Sequence, residues 1–148
     1  MRRVGIWVVT LIVWFAGVLH AQPSFSLRAA SEDAVAGWEK MQSADAGKFA
    51  WVSPVLSVTS EDVESARPVM NDDGQRVIVV AFTDAGAKKM HDLTTAQLGK
   101  LIALVLDGKL LWAPKVLSAL DKKAVLTGNG PKGLSTEQVQ RLMSSLHK

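Results

Sequence analysis

The sequence predicts an α+β fold in which helices pack on one face of an antiparallel or mixed β-sheet. Two pairs of apolar runs are joined at Asp73-Gly74 and Asp107-Gly108, residue pairs that tight hairpin turns prefer. The clearest helical pattern lies at the C-terminus. Strands joined by hairpins rather than by repeated helical crossovers favour antiparallel pairing, with the helices on one face.

The first part of the fold is predicted to be a strand followed by a helix. In residues 23–29, Phe25 and Leu27 alternate with polar neighbours, as in a half-buried strand. Ser31 is a suitable helix N-cap, and apolar residues then recur at helical spacing. We therefore expect a helix to about residue 44, with Trp38 and Met41 in the core.

The next segment is predicted to be extended and to end in a hairpin. Residues 49–58 have strand composition, and Pro54 suggests an edge strand or a bulge. Residues 59–67 form a capped acidic sequence that predicts one short helical turn, which cannot continue past Pro68. Residues 69–82 then contain two apolar runs joined at Asp73-Gly74, which predicts a β-hairpin.

The middle of the chain is predicted to be helical and then deeply buried. Thr83 or Asp84 is expected to cap a helix through about Asp92, and one further helical turn would stop at Gly99. Residues 101–106 are apolar at every position. This pattern predicts a central strand that is covered on both faces.

The end of the chain contains a short predicted strand and the best-defined helix. Residues 123–126 have strand composition and are followed by a glycine-rich loop. Ser135 and Gln138 have the spacing of a capping box, and Leu134 with Val139 has the spacing of a hydrophobic staple. The predicted helix has one apolar stripe, formed by Val139, Leu142, Met143 and Leu146.

The N-terminus has the layout of a secretory signal peptide. Two arginines precede an apolar run over residues 4–19, and cleavage is expected after Ala21. We therefore predict a signal peptide at residues 1–21 and a single exported domain at residues 22–148. The alternative is an uncleaved anchor in the inner membrane, although the run is shorter than the roughly 20 residues that span a bilayer. Only an uncleaved segment would make the protein membrane-bound.

Composition restricts the compartment and the partners. A chain of 148 residues, 48% hydrophobic and 21% charged, has the size and balance of one globular domain. The formal charge is +3, and without Arg2 and Arg3 the same count gives +1, so nucleic acid is not an expected partner. The absence of cysteine excludes disulfides, so an exported domain must rely on its packed core. A periplasm or an equivalent extracytoplasmic compartment fits best.

No catalytic, metal or cofactor site is predicted. The histidines are His20, His91 and His147, and none has a partner at metal-ligand spacing. No Gly-x-Ser-x-Gly motif is present, and the acidic residues fall in predicted turns or at helix starts. We therefore expect a protein that is not an enzyme. A concave pocket joining His91 to a carboxylate would reverse this expectation.

The segment around Asp107 leaves one question open. Asp107 itself is interpreted as the corner of a hairpin rather than as a catalytic carboxylate. Leu110, Leu111 and Trp112 follow in direct succession, so a regular strand would turn at least one of them away from one face of the sheet. Trp112 is therefore either a core residue or an exposed anchor for a partner.

Two stretches resemble the head subdomain of the first periplasmic domain of the SecD and SecDF protein-export family. They are "AFTDAGAKKMHDLTTAQLGKLIALVLDGKLLWAP" at residues 81–114 and "AVLTGNGPKGLSTEQVQRLM" at residues 124–143. The matching features occur in the same order: Gly86-Ala87 in a helix, Leu98-Gly99-Lys100, the Leu-Asp-Gly-Lys hairpin, Ala113-Pro114 and Leu126-Thr127-Gly128. The similarity extends over nearly the whole predicted mature chain. No counterpart of the family's transmembrane bundle is expected.

The resemblance implies a non-enzymatic binding module. In the family, the head is implicated in holding polypeptide on the outer side of the membrane. The resemblance therefore suggests that this chain holds extended or unfolded polypeptide during or after export, through a groove beside the hairpin. Leu110, Trp112 and Pro114 are the candidate contact residues. The alternative is a domain that docks on one envelope or membrane-complex partner through the same surface.

Overall fold

The computed structural model describes residues 25–43, 47–128 and 131–146. The predicted signal segment lies outside these ranges. Within them the chain forms nine strands, one 3₁₀-helix and two α-helices. The strands are β1 (Phe25–Ser31), β2 (Glu39–Gln42), β3 (Phe49–Val52), β4 (Val58–Thr59), β5 (Val63–Met70), β6 (Arg76–Phe82), β7 (Leu101–Leu106), β8 (Lys109–Trp112) and β9 (Lys123–Leu126). The helices are the 3₁₀-helix Ser60–Asp62, α1 (Asp84–Ala96) and α2 (Thr136–Leu146).

The strands form two antiparallel sheets. In sheet A the order is β2-β3-β1-β7-β8, and β4 pairs with the start of β1. In sheet B the order is β5-β6-β9. Every pairing between these strands is antiparallel, which confirms the predicted fold class. The division into two sheets was not part of the prediction.

The centre of sheet A is the β1–β7 pair. Its register runs from Phe25 opposite Leu106 to Ala30 opposite Leu101. Both faces of β7 are covered, because Leu104 lies in the main core and Val105 in a second, smaller one. A strand buried on both faces has no polar side, which explains why residues 101–106 are apolar throughout. The sequence prediction for this strand is confirmed.

A β-bulge in β8 explains the three consecutive apolar residues of the hairpin. Leu110 pairs with Val105, but Trp112 pairs with Leu104, which leaves Leu111 as an extra residue. The side chains of Leu111 and Trp112 therefore both belong to the main core, whereas Leu110 belongs to the second core. Each of these three apolar side chains is thus buried.

Both α-helices begin at the caps that the sequence predicts. At α1, the backbone N–H of Gly86 donates to the hydroxyl of Thr83 over 3.0 Å. At α2, the backbone N–H of Gln138 donates to the Ser135 hydroxyl, and that of Ser135 donates to the Gln138 side chain. The apolar stripe of α2 faces the main core, with Leu142 fully buried. Helix α1 is longer than predicted, because it continues without a break to Ala96.

One helix prediction in the first half is wrong. Residues 31–43 do not form a helix: Gly37 has a φ of 80°, and Glu39–Gln42 form a strand instead. Residue 44, the predicted end of the helix, lies outside the described residues. Met41 lies opposite Ala50 across the β2–β3 pair, so pairing between strands overrides the helical spacing. Trp38 and Met41 are half-buried rather than central core residues.

The predicted acidic helical turn is present as a 3₁₀-helix of one turn. Only Ser60–Asp62 are helical, and β5 begins at the next residue. Pro68 lies inside β5, opposite Ile78. This position is compatible with proline because β5 is an edge strand of sheet B. Pro54, by contrast, lies in the connection between β3 and β4.

Candidate functional site

The three candidate contact residues differ in exposure. Leu110 and Trp112 are buried, with 2% and 3% of their surface exposed, whereas Pro114 is exposed. Burial identifies Trp112 as a core residue, in line with the first of the two interpretations of the sequence. Of the three, only Pro114 presents a largely exposed side chain. Their predicted role in binding polypeptide stays a prediction.

Leu110 and Trp112 nevertheless line a cavity of about 160 Å³ between β8 and the β2–β3 hairpin. The hairpin contributes Phe49 and Lys48 to the lining. Phe49 is 54% exposed, so it also presents a face to solvent beside the cavity. Its ring lies 4.5 Å from the ammonium group of Lys40, a cation–π contact that holds the exposed ring in place.

A hydrogen bond from the Ser43 hydroxyl connects the two sides of this cavity. Ser43, which follows β2, donates a 2.7 Å hydrogen bond from its side chain to the main-chain carbonyl of Leu111. Ser43 is itself buried and lines the cavity. Since β2 and β8 are the first and last strands in the order of sheet A, this bond shows that the sheet curls until its two edges approach each other.

Asp107 is the corner of the β7–β8 hairpin. Its φ is 51° and that of Gly108 is 75°, the left-handed conformations that a two-residue hairpin turn requires. The Asp107 carboxylate lies 3.3 Å from a guanidinium nitrogen of Arg141 on α2, and both side chains are about half exposed. The hairpin interpretation is confirmed. The two residues also line an open cavity of about 310 Å³ together with Gln140, Ser144 and Ser145.

Among the titratable residues of the described ranges, Asp62 makes structural contacts and His91 faces solvent. Asp62 is buried, pairs with Lys89 over 2.9 Å and accepts a hydrogen bond from the backbone N–H of Thr59. His91 lies exposed on α1. No group of three or more potential ligand residues could hold a metal ion in the part of the chain that the structure describes.

Burial shifts the pKa of Arg28, a residue of β1. Burial on β1 lowers the pKa of its guanidinium below the ordinary value, and the nearby Glu39 carboxylate acts in the opposite direction. Its Nε donates to the hydroxyl of Ser26 over 3.0 Å. Arginine stays charged despite such a shift, so Arg28 is a fixed positive charge rather than a proton donor.

Sequence reasoning missed two exposed apolar residues on which the surface of this domain depends. Leu117 is 86% exposed and Phe49 is 54% exposed. Neither position belongs to a periodic pattern that would show on which side of an element it lies, so the sequence gives no signal of exposure. No helix within the described ranges has the length and apolar character to cross a bilayer.

Comparison with known families gives one match. The family model of the SecDF P1 head subdomain matches residues 38–146. The chain is 41% identical over 59 residues to the protein translocase subunit SecD of Acidaminococcus fermentans, a match that covers 40% of this chain and 14% of that protein. It is 36% identical over 72 residues to SecDF of Thermus thermophilus, covering 48% and 10% of the two chains.

A third relative covers more of the chain. The SecD subunit of Elusimicrobium minutum is 30% identical over 101 residues, which is 68% of this chain and 20% of that protein. These three alignments span only 10 to 20% of the relatives' own lengths.

Solved structures show a similar fold. One, described as a membrane component SecDF that enhances protein export, superimposes with a TM-score of 0.61 at 22% identity. The match covers 82% of this chain and 60% of that one. A crystal structure of SecDF in a super-membrane-facing form gives the same TM-score and identity over 84% of this chain and 18% of the other.

Proposed function

This chain belongs to the SecDF P1 head subdomain family, and from that membership we propose that it is a non-enzymatic module that holds extended or unfolded polypeptide during or after protein export. The proposal concerns the head alone, since the matched relatives are five to ten times longer than the aligned segment. Residues 1–21 would act as the signal peptide and residues 22–148 as the exported domain in the periplasm.

The observation that carries the proposal is the exposed Phe49 ring beside the cavity that Leu110 and Trp112 line. Unfolded polypeptides expose apolar side chains that folded proteins bury, so a holding surface needs apolar area with room for a side chain. A cavity of about 150 Å³ can accept a benzene ring. The cavity beside Phe49, at about 160 Å³, therefore has room for one aromatic or branched aliphatic side chain.

The predicted contact residues take different parts in this proposal. Leu110 and Trp112 would touch only a side chain that enters the cavity, because their surfaces are otherwise covered. Pro114 is exposed at the end of β8 and would contact the chain that carries this side chain. Phe49 adds a contact on the opposite side of the cavity, from β3.

Crosslinking in the native cell envelope tests the proposal. A photoreactive residue replaces Phe49, and a matched control replaces Met70, which is 63% exposed on the other sheet. We expect a broad range of exported polypeptides to crosslink at position 49 and not at position 70. Trp112→Ala, which changes the lining of the cavity, should alter the yield at position 49.

The other outcomes separate the alternatives. One sharp adduct at position 49 would favour docking on a single envelope or membrane-complex partner instead of holding many polypeptides. The absence of any adduct, or equal adducts at positions 49 and 70, would contradict a binding role for this surface.

A further inference from the structure

A second apolar surface lies on the connection between β8 and β9, which begins at the edge of the cavity. We call residues 113–122 the leucine loop. Leu117, at its centre, is 86% exposed, and Leu120 is 37% exposed. Leu98, which follows α1 and lies beside the loop, is 48% exposed. Three leucines in one neighbourhood thus present apolar side chains to solvent.

The leucine loop is held in position by the rest of the fold. Thr94, on α1, accepts a 2.8 Å hydrogen bond from the backbone N–H of Leu120. Val116 is 7% exposed and exchanges backbone hydrogen bonds with the segment after α1: its N–H donates to Lys100 and its carbonyl accepts from Gly99. The loop is therefore anchored on both sides of Leu117. Leu117 faces solvent although the backbone around it is fixed.

Lysines flank these leucines at both ends of the leucine loop, and acidic residues accompany them. Lys100 and Lys115 lie at the first end of the leucine loop, where Leu101 forms a bridge with Lys115. Lys122 and Lys123 follow Leu120 at the other end. All four lysines are exposed. Glu32 and Asp33 line a cavity of about 230 Å³ together with Lys100 and Lys115, and Asp121 precedes Lys122, so the lysines outnumber these acidic residues by four to three.

We propose that the leucine loop binds the surface of an anionic phospholipid bilayer. A side chain that is 86% exposed lies on a protruding part of the surface, so it inserts into a partner rather than enclosing one. Interfacial segments place leucines below the headgroup layer while lysines contact the negative headgroups. The leucine loop has both the exposed leucines and the neighbouring lysines that such a contact requires. Near such a surface each lysine raises affinity about fivefold.

The exposed leucines of this contact are not part of the polypeptide cavity, although Ala113 of the leucine loop lines that cavity and Pro114 is a candidate polypeptide contact. The first described residue of the chain lies at the other end of sheet A. Phe25, at the start of β1, pairs with Leu106, whereas the leucine loop meets the other end of β7 at Leu101. Five strand residues separate these two ends, a distance of about 17 Å. The chain therefore enters sheet A at one end, and the leucine loop lies at the opposite end.

A polarity-sensitive dye tests the proposal in the full chain. The sequence contains no cysteine, so Ala119→Cys gives one label within the leucine loop, and Met70→Cys gives a control label at a site that is 63% exposed. The protein is mixed with phosphatidylcholine vesicles with or without about 30% phosphatidylglycerol. We expect the emission at position 119 to shift to the blue only with phosphatidylglycerol, and the emission at position 70 to stay constant.

Two sets of variants measure how much the lysines and Leu117 each contribute to membrane binding. Replacing Lys122 and Lys123 together by glutamine should weaken the interaction reported at position 119 about 25-fold, the product of two fivefold effects. The matched control replaces Lys48 and Lys132, two exposed lysines outside the loop, and should leave the affinity almost unchanged. Leu117→Ser should reduce the blue shift, and Met70→Ser should not.

Three results would overturn the proposal. The dye at position 119 could stay in water although the protein sediments with vesicles, which would assign membrane binding to other residues. The shift could be equal on pure phosphatidylcholine, which would exclude recognition of negative headgroups. A shift that needs envelope proteins instead of vesicles would assign the loop to a protein partner.

Discussion

The hydroxyl of Ser43 donates a buried 2.7 Å hydrogen bond to the main-chain carbonyl of Leu111, 68 positions later in the chain. It connects the segment after one edge strand of sheet A with the opposite edge strand, and it lies beside the candidate polypeptide-binding cavity. A buried carbonyl that loses its donor carries a desolvation cost, so this bond contributes to both stability and the shape of the cavity.

Ser43→Ala should lower the free energy of unfolding by about 1–3 kcal/mol, the cost of leaving a buried carbonyl unsatisfied. Urea unfolding followed by circular dichroism measures the change. The control is Ser118→Ala, because Ser118 is exposed on the leucine loop and its replacement should change stability by less than about 0.5 kcal/mol. Equal effects for the two variants would show that the hydrogen bond contributes no net stability.

Two leucines of the same size provide a test of the core. Leu142 on α2 is fully buried, so Leu142→Ala should cost about 2–5 kcal/mol by removing apolar contacts and leaving a cavity. Leu117→Ala at the 86% exposed position should change the free energy of unfolding by less than about 0.5 kcal/mol. Thermal or urea unfolding compares the two, and a small effect at Leu142 would contradict the placement of α2 on the core.

Gly86 lies in the first turn of α1, directly against the main chain of Asp62. A Cβ at position 86 would overlap the Asp62 carbonyl oxygen, a backbone atom that cannot rotate away. Helix propensity alone predicts that Gly86→Ala stabilises the protein by up to about 1 kcal/mol, whereas the overlap predicts a loss of about 1–3 kcal/mol.

The sign of the measured change decides between these two effects at Gly86. Ala85→Gly, at the exposed neighbouring position, is the matched variant for propensity. It should cost no more than about 1 kcal/mol. A stabilising Gly86→Ala would contradict the close approach of α1 to the segment before β5.

Asp107 provides a test of the hairpin corner. Asparagine tolerates positive φ about as well as aspartate, so Asp107→Asn should be nearly neutral, and Asp107→Val should cost about 1–2 kcal/mol because β-branched residues resist this conformation. Arg141→Ala should cost no more than about 1 kcal/mol, since the ion pair is exposed. Unfolding in urea checks all three. A large loss for Asp107→Asn would mean that the charge, rather than the backbone conformation, matters here.

The elements that were predicted best are those that depend only on residues close together in the sequence. The capping box at Ser135 and the Asp107-Gly108 turn need only neighbouring residues, and both are present in the structure. The apolar run at residues 101–106 also predicted its own burial correctly, because a strand covered on both faces must be apolar throughout.

Errors arose where distant pairing decides the structure. Residues 39–42 have helical spacing, but they form a strand because Phe49–Val52 are available to pair with them. Trp112 could not be assigned to core or surface, because its direction depends on a bulge at Leu111 that appears only when β8 pairs with β7. The exposure of Leu117 likewise depends on bonds from Thr94 and Lys100, which no local pattern indicates.

The position of β1 in sheet A has a consequence for the order in which this domain can be completed. Ala30 and Leu101 are neighbours in space but lie 71 positions apart in the chain, so one edge of β1 must wait for a partner that is synthesised much later than β3 and β4. Contacts of such high sequence separation slow folding. A chain that emerges from its N-terminus therefore exposes Phe25 and Leu27 until β7 follows. Under the proposed function, the domain would itself pass through the state of an unfolded polypeptide before it could hold one.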